Sequence, residues 1–316
     1  MIGFDPLLKV HSETLAHGTQ YRLSMLGTVG DLVEDIVVRL GGTVNIDSDT
    51  EAIVTRRRGG SSANMAACVV RCGHAARFIG QVGDDAHGAA LITSLESAGV
   101  DVVVRRRGHT GTIVVLVDHH GQRTMLSDRG DSSELDRPDP SWLDGLSALH
   151  VPLYSLVVGS LASTSATLIR WAHDRHILVS IDASSVAIIE HFGVTRSIEM
   201  LQHLRPSVLL CNESEAACLG IGMTSGGDQS IASQLTVVKR GPDPASVMQP
   251  GRPAVQVAAL GISHVRDTTG AGDAFAAGLL CGLVAGESPL EATLAGHRSA
   301  ATTIAEISLS HRSDTL

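Results

Sequence analysis

Short apolar runs with the character of buried strands recur through the second half of the chain, at residues 148–151, 178–182, 208–211 and 236–239. The stretches between them are long enough for helices. A strand that is apolar on both faces must be covered on both faces, and a helix-length crossover brings the next strand back parallel to the last. The pattern predicts a mainly parallel sheet with helices on either side, a three-layer α/β fold. Two small-residue helices, 273–285 and 289–304, close it. Only 3% of the 316 residues are aromatic, so the core must be filled by Ala, Val, Leu and Ile.

The first half is less regular. Residues 23–26 read as a strand, Gly27-Thr28-Val29-Gly30-Asp31 as a turn, and 32–40 as a second strand. Helices are predicted at 64–72 and 87–98, with a buried strand at 76–79 between them. The β-prone segments near 41–58 and 100–127 interrupt the strand–helix alternation. They are predicted to form a small separate sheet, a lid over the C-terminal edge of the main one. One domain, spanning 21–310 with these lid strands inserted, is expected. A small sheet cannot bury both of its faces alone, so a homodimer through the lid is a further expectation.

Composition excludes several classes. A net charge of −9 opposes a nucleic-acid partner, which demands a basic footprint. The runs Arg56-Arg57-Arg58 and Arg105-Arg106-Arg107 are read as solvated strand ends or a local basic patch. The five cysteines form no CxxC pair and are read as reduced thiols. No long apolar run marks a leader in the first twenty residues or a membrane span later, so a cytoplasmic protein is expected.

The most informative string is Asp267-Thr268-Thr269-Gly270-Ala271-Gly272-Asp273, running into a helix. Gly270, Ala271 and Gly272 are small enough for a phosphate to approach the backbone. Their N–H groups sit at a helix start, where unpaired donors and the helix dipole favour an anion. Asp273, in the first helical turn, can take a proton from an attacking hydroxyl while a phosphoryl group rests on those amides.

This segment resembles the second signature of the PfkB (ribokinase-like) carbohydrate kinase family. Gly59-Gly60-Ser61-Ser62-Ala63-Asn64 resembles its first signature. Val82-Gly83-Asp84-Asp85-Ala86-His87-Gly88, the lid residues Thr110-Gly111, Asp118 and Gly121-Gln122-Arg123, Asn212-Glu213-Ser214-Glu215 and Val238-Lys239-Arg240-Gly241 resemble further family motifs in order. The resemblance spans roughly residues 21–305. It implies a ribokinase-like fold and an ATP-dependent kinase of a sugar or sugar-like alcohol, with Asp273 as base and the 270–272 turn as anion site.

It also implies site roles. Asp35, with Gly59, Gly60 and Asn64, would bind substrate; a carboxylate suits two adjacent hydroxyls. Asp31 is the competing carboxylate, and Asn64 has the competing reading of a helix cap. Asn212, Lys239, Gly241 and His297 would meet ATP, with Glu215 holding Mg²⁺ through water. The simpler readings are a helix-start pair for Asn212 and Glu215, and a helix-face His for His297. Asp267 and Thr269 match positions that bind a monovalent cation such as K⁺ in relatives. Two departures stand out. Asp182-Ala183-Ser184-Ser185 replaces an Asp-x-Asn-x-Arg run, and Glu306-Ile307-Ser308-Leu309 replaces a Gly-Ala pair after the last helix. A nucleoside kinase of the same family and a ligand-binding regulator descended from a kinase are the alternatives. Gly27-Thr28-Val29-Gly30 lacks the G-x-G-x-x-G of a dinucleotide site.

Overall fold

The structure is a computed structural model. It describes residues 24–310 apart from 119, 121, 223–232, 263, 264 and 266. Gly121 and the start of the expected domain at 21–23 therefore lie outside the described residues.

Seven parallel strands build the large sheet: β1 (Met25–Asp31), β4 (Ala75–Val82), β5 (Asp101–Arg106), β8 (Leu146–Pro152), β9 (Leu178–Asp182), β10 (Val208–Asn212) and β11 (Leu235–Arg240). Antiparallel β12 (Asp243–Met248) and β13 (Val255–Val257) extend one edge, giving the order β13-β12-β11-β10-β9-β8-β1-β4-β5. Alternate strand residues feed two separate cores. Leu26, Phe78, Leu210 and Val237 pack with α1 (Ser61–Arg71), α2 (Ala86–Ser97), α7 (Ala271–Val284) and α8 (Pro289–Ser310). Val29, Ile79, Leu149, Val179 and Leu209 pack with α3 (Gly159–Asp174), α4 (Val186–Phe192), α5 (Val194–Leu204) and α6 (Glu213–Cys218) on the other face. Period-two alternation between two apolar layers is what a covered parallel sheet requires.

Small residues set the spacing of one layer. α7 is buried from Ala274 to Leu283. A Cβ at Gly278 would stand 2.5 Å from the Ala295 carbonyl oxygen, and one at Gly282 would stand 2.9 Å from Ala292 Cα. Glycine at both positions lets α7 and α8 approach backbone to backbone.

The second sheet has the order β3-β2-β6-β7, from β2 (Val33–Leu40), β3 (Ala52–Gly59), β6 (Thr110–Val117) and β7 (Arg123–Gly130). This corrects the expected lid boundaries at both ends. β5 pairs in parallel with β4 and is the edge of the large sheet. The lid instead begins at β2, while 41–51 is a loop. The cause is a single residue, Leu32, between β1 and β2: one continuous extended run passes from the main sheet into the lid.

Register sorts the lid side chains onto two faces. Asp35, Val37, Arg57, Val115, Arg123 and Arg129 share the face toward the main sheet, where Val37 and Val115 are buried. Ile36, Val38, Val54, Val114, Leu116 and Leu126 share the opposite face, with Val54 56% and Leu126 55% exposed.

Candidate active site

The anion turn forms as its composition dictates. Gly270 is the N-cap of α7 at φ 75°, a left-handed conformation natural to glycine. The Ala271 N–H donates to Thr268 O at 3.1 Å, so it braces the turn and is not available to an anion. The N–H groups of Gly272 and Asp273 belong to the first helical turn, where no carbonyl of the helix reaches. A Cβ on Gly272 would lie 3.6 Å from Lys239 Nζ, and one on Gly270 would meet nothing. An ammonium therefore sits beside the turn.

Lys239, at the end of β11, donates to Asp182 Oδ2 at 2.5 Å, at the end of β9. Burial works against the charge on Lys239, yet the Asp182 carboxylate prevails and raises its pKa. Two strand ends, one strand apart in the sheet, thus deliver a partly buried ion pair to the base of the 270–272 turn.

Asp273 occupies the N3 position of α7 and is half-buried. Ser61 Oγ donates to its Oδ1 at 2.5 Å. Burial pushes its carboxyl up to about 7, opposed by the hydrogen bond from Ser61, reinforced by Asp182, and opposed again by Lys239 and Asn64. A carboxyl with this pKa exchanges a proton readily near neutrality, the property a general base needs.

The turn of the first signature joins this group to the lid. Gly60 has φ 100°, and a Cβ there would stand 2.2 Å from the Asp31 carbonyl oxygen; a Cβ on Gly59 would fall 2.1 Å from Asp35 Oδ1. A side chain at Gly60 would meet fixed backbone, and one at Gly59 would have to displace the Asp35 carboxylate. Gly59 touches Asp35, and Ser61, two residues on, bonds Asp273. Asn64 lies within α1, which begins at Ser61 with Gly60 as its N-cap, so Asn64 is not a helix cap. Its side chain reaches Asp273.

The two candidate carboxylates separate cleanly. Asp31 is buried and spent on structure: it accepts from Tyr154 Oη at 2.5 Å and from Arg129 Nη1 at 2.8 Å. Asp35 lies inside lid strand β2, within the second strand that the sequence predicts at 32–40. Its nearest cation is Arg57, with Nε at 3.5 Å. Burial raises the Asp35 carboxyl, Arg57 lowers it, and Asp31 raises it further.

The remaining candidates fall on the other side of the anion turn. Asn212 and Glu215 form a reciprocal capping box at the start of α6. Glu215 accepts from the Asn212 backbone N–H at 2.8 Å and from Nδ2 at 2.7 Å. Asn212 is also the register partner of Lys239. Burial, then the Asp182 charge, raises the Glu215 carboxyl. Gly241 makes the turn to β12 at φ 59°. His297 is buried between helices, with Nε2 3.2 Å from Val257 O and its ring edge-on to Phe275 at 5.1 Å.

Asp267 and Thr269 are held by the lid. Arg123 Nη2 donates to Asp267 Oδ1, and its Nη1 to Thr269 Oγ1, each at 2.5 Å. The structure thus brings Asp273, Asn64, Lys239 and the anion turn together, and Asp35 with Gly59 beside them. His297 stands apart, with its ring nitrogen bonded to β13.

Sequence reasoning missed Ser61, Asp182, Arg57 and Arg123. Arg57 was legible: it stands two residues before Gly59 in a strand, on the same face. Ser61 and Arg123 stand inside strings that resemble family motifs but carry no local cue to their partners, and Asp182 opens the string that departs from the family pattern.

Fold and site together define a small-molecule phosphotransferase. The chain belongs to the pfkB family of carbohydrate kinases, whose family model matches residues 29–316. It is 31% identical over 244 residues to the ATP-dependent ribose-1-phosphate kinase of Halopiger xanaduensis, covering 74% of this chain and 77% of that protein. It is 30% identical over 258 residues to the fructokinase of Klebsiella pneumoniae, covering 77% and 82%. Among solved structures it is similar in fold to adenosine kinase from Sinorhizobium meliloti, with TM-score 0.78, 22% identity and coverage of 93% and 100%.

Proposed function

We propose that this kinase transfers the γ-phosphoryl group of ATP to a hydroxyl of a sugar or sugar-like small molecule, with Asp273 as general base. The observation that carries this reading is the setting of Asp273: first turn of α7, carboxyl at about 7, held by Ser61 and neighboured by Lys239. Asp35 orients substrate hydroxyls beside the Gly59-Gly60 backbone, and Asn64 steadies the base. The Gly272 and Asp273 amides, with Lys239, offset charge on the transferred phosphoryl group. The Asn212 and Gly241 side is where the nucleotide lies. His297 contributes there only as packing behind β13.

Hard oxygen donors suit magnesium, and among the described residues no cluster of three or more acidic, His or Cys groups forms a direct metal cage. Glu215 and Asp182 are the carboxylates that would hold Mg²⁺ through water, where it would neutralise the ATP phosphates. The five cysteines are free, which suits a cytoplasmic enzyme; among the described residues no helix is long and apolar enough to cross a membrane. The exposed apolar face of the lid fits a second copy of the same sheet.

A sugar phosphate is the second reading that an observation favours. Arg57 and Arg123 lie on the site-facing side of the lid, and the Halopiger xanaduensis relative is a ribose-1-phosphate kinase. A coupled ADP-release screen over sugars, sugar phosphates and nucleosides, run beside Asp273→Asn, tests both. Turnover on one class that disappears in the variant is the expected result. No turnover on any class would remove the kinase reading in favour of a binding protein.

A further inference from the structure

The positions that the family resemblance gives to a monovalent cation already hold a charge. Arg123 bonds the side chains of both Asp267 and Thr269. Thr269 N–H also donates to Asp267 Oδ1, at 2.7 Å. On the other side of the carboxylate, Arg57 Nη1 lies 4.0 Å from Oδ2. Asp267 is only 7% exposed. Burial would raise its carboxyl, but hydrogen bonds from Thr269 and Arg123 hold it at about 2, so it is ionised near neutral pH. A metal ion approaching this carboxylate would meet two guanidinium groups and would have to displace one.

A second observation comes from the other end of the chain. The segment Glu306 to Leu309, standing where relatives carry a Gly-Ala pair, runs on as part of α8 to Ser310. Helical carbonyls point along the helix axis.

We propose that Arg123 takes the place of the monovalent cation: it is the fixed positive charge that orders the 267–273 turn, and it arrives on the lid. A planar guanidinium making two bonds in one plane fixes the carboxylate and the hydroxyl relative to each other, which a spherical ion does not. Because Arg123 opens β7, the anion turn is braced only when the lid is down. Arg123 is in this sense a positioning residue. It acts on Asp267 and Thr269, and through them on the amides of Gly272 and Asp273. The inference rests on the kinase reading for its effect on rate, but not for its effect on ion binding.

The test compares potassium chloride with N-methylglucamine chloride at equal ionic strength, which removes general screening as a variable. Two readouts are taken on the wild-type chain: melting temperature, which needs no substrate, and turnover on the acceptor found by the screen. Both should agree between the two salts, turnover within about twofold. Arg123→Ala should lower kcat about 10-fold or more, the scale of a lost charge-assisted pair, with a smaller change in KM for ATP. Arg123→Lys should recover part of the loss. A potassium-specific rise in wild-type melting temperature or turnover overturns the proposal, and so does an Arg123→Ala protein with wild-type kcat. Should the screen find no acceptor, the kinase reading fails separately and the melting comparison still decides whether the ion binds.

Discussion

On the proposed role of Asp273 as base, its raised carboxyl ties activity to instability in a way that one substitution exposes. A carboxyl whose pKa rises on folding favours the folded state only while it is protonated. The contribution of Asp273 is complete below its ordinary 3.8 and is lost as pH climbs through about 7. The full rise corresponds to about 4 kcal/mol at roughly 1.36 kcal/mol per tenfold. Partial access of solvent to the half-buried side chain reduces this to about 1–2 kcal/mol. Asp273→Asn stays neutral at every pH and keeps an acceptor for Ser61. Its melting temperature should match the wild type near pH 4 and draw ahead between pH 4 and 7. Above pH 7 it should stay ahead by roughly 2–5 °C. Turnover should fall about 10²–10⁴-fold, and wild-type kcat/KM should show an acid limb near pH 7. Differential scanning fluorimetry across pH 4–9 and a coupled ADP assay give both curves. A stability difference that is flat between pH 5 and 8, or a variant keeping more than about a tenth of wild-type turnover, would refute the proposal that Asp273 is a base with a raised carboxyl.

Asp35→Ala should weaken substrate binding strongly while leaving ATP binding in the absence of substrate nearly intact; calorimetry on both ligands separates a lost contact from a damaged fold. Gly278→Val should destabilise the protein by about 1–3 kcal/mol, because its Cβ meets the Ala295 carbonyl across the α7–α8 contact; a melting temperature equal to wild type would show that the helices can part. Val54→Lys with Leu126→Lys should convert a dimer into monomers in sedimentation without unfolding either sheet, and a wild-type chain already monomeric at assay concentration would dismiss the lid as the interface.

The sheet and its layers were readable because each buried strand announces itself by composition. Residues 148–151, 178–182, 208–211 and 236–239 each fall within a strand of the structure. The 267–273 segment was readable as a turn into a helix because glycine and a helix start admit few alternatives. The lid was harder. Nothing in the composition of 100–106 tells an exposed edge strand of the large sheet from a lid strand; the distinction lies in pairing with β4, a non-local fact. The partners of the charged groups were not readable either. The family spacing favours Asp35 with Asp31 as its competitor, and only the arrival of Tyr154 and Arg129 from distant segments shows that Asp31 is already engaged. Asp182 pairs with Lys239 fifty-seven positions later, a contact set by strand order, which no local pattern encodes.

The lid is woven from two separated pieces, and this governs when it can exist. β2 and β3 leave the ribosome early, but their parallel partner β6 follows only after α1, β4, α2 and β5. A lone hairpin is marginal in water, so β2 and β3 have no stable home until the intervening segment has laid down the first part of the large sheet. The cover over the active site is therefore a late product of folding, and the slow formation expected of non-local strand pairing applies to it first. Slow amide exchange in β2, appearing together with that of β6 and after that of β1 and β4, would be its kinetic signature. Moving the lid to another scaffold means transplanting two stretches of chain and the crossing between them, not one insert.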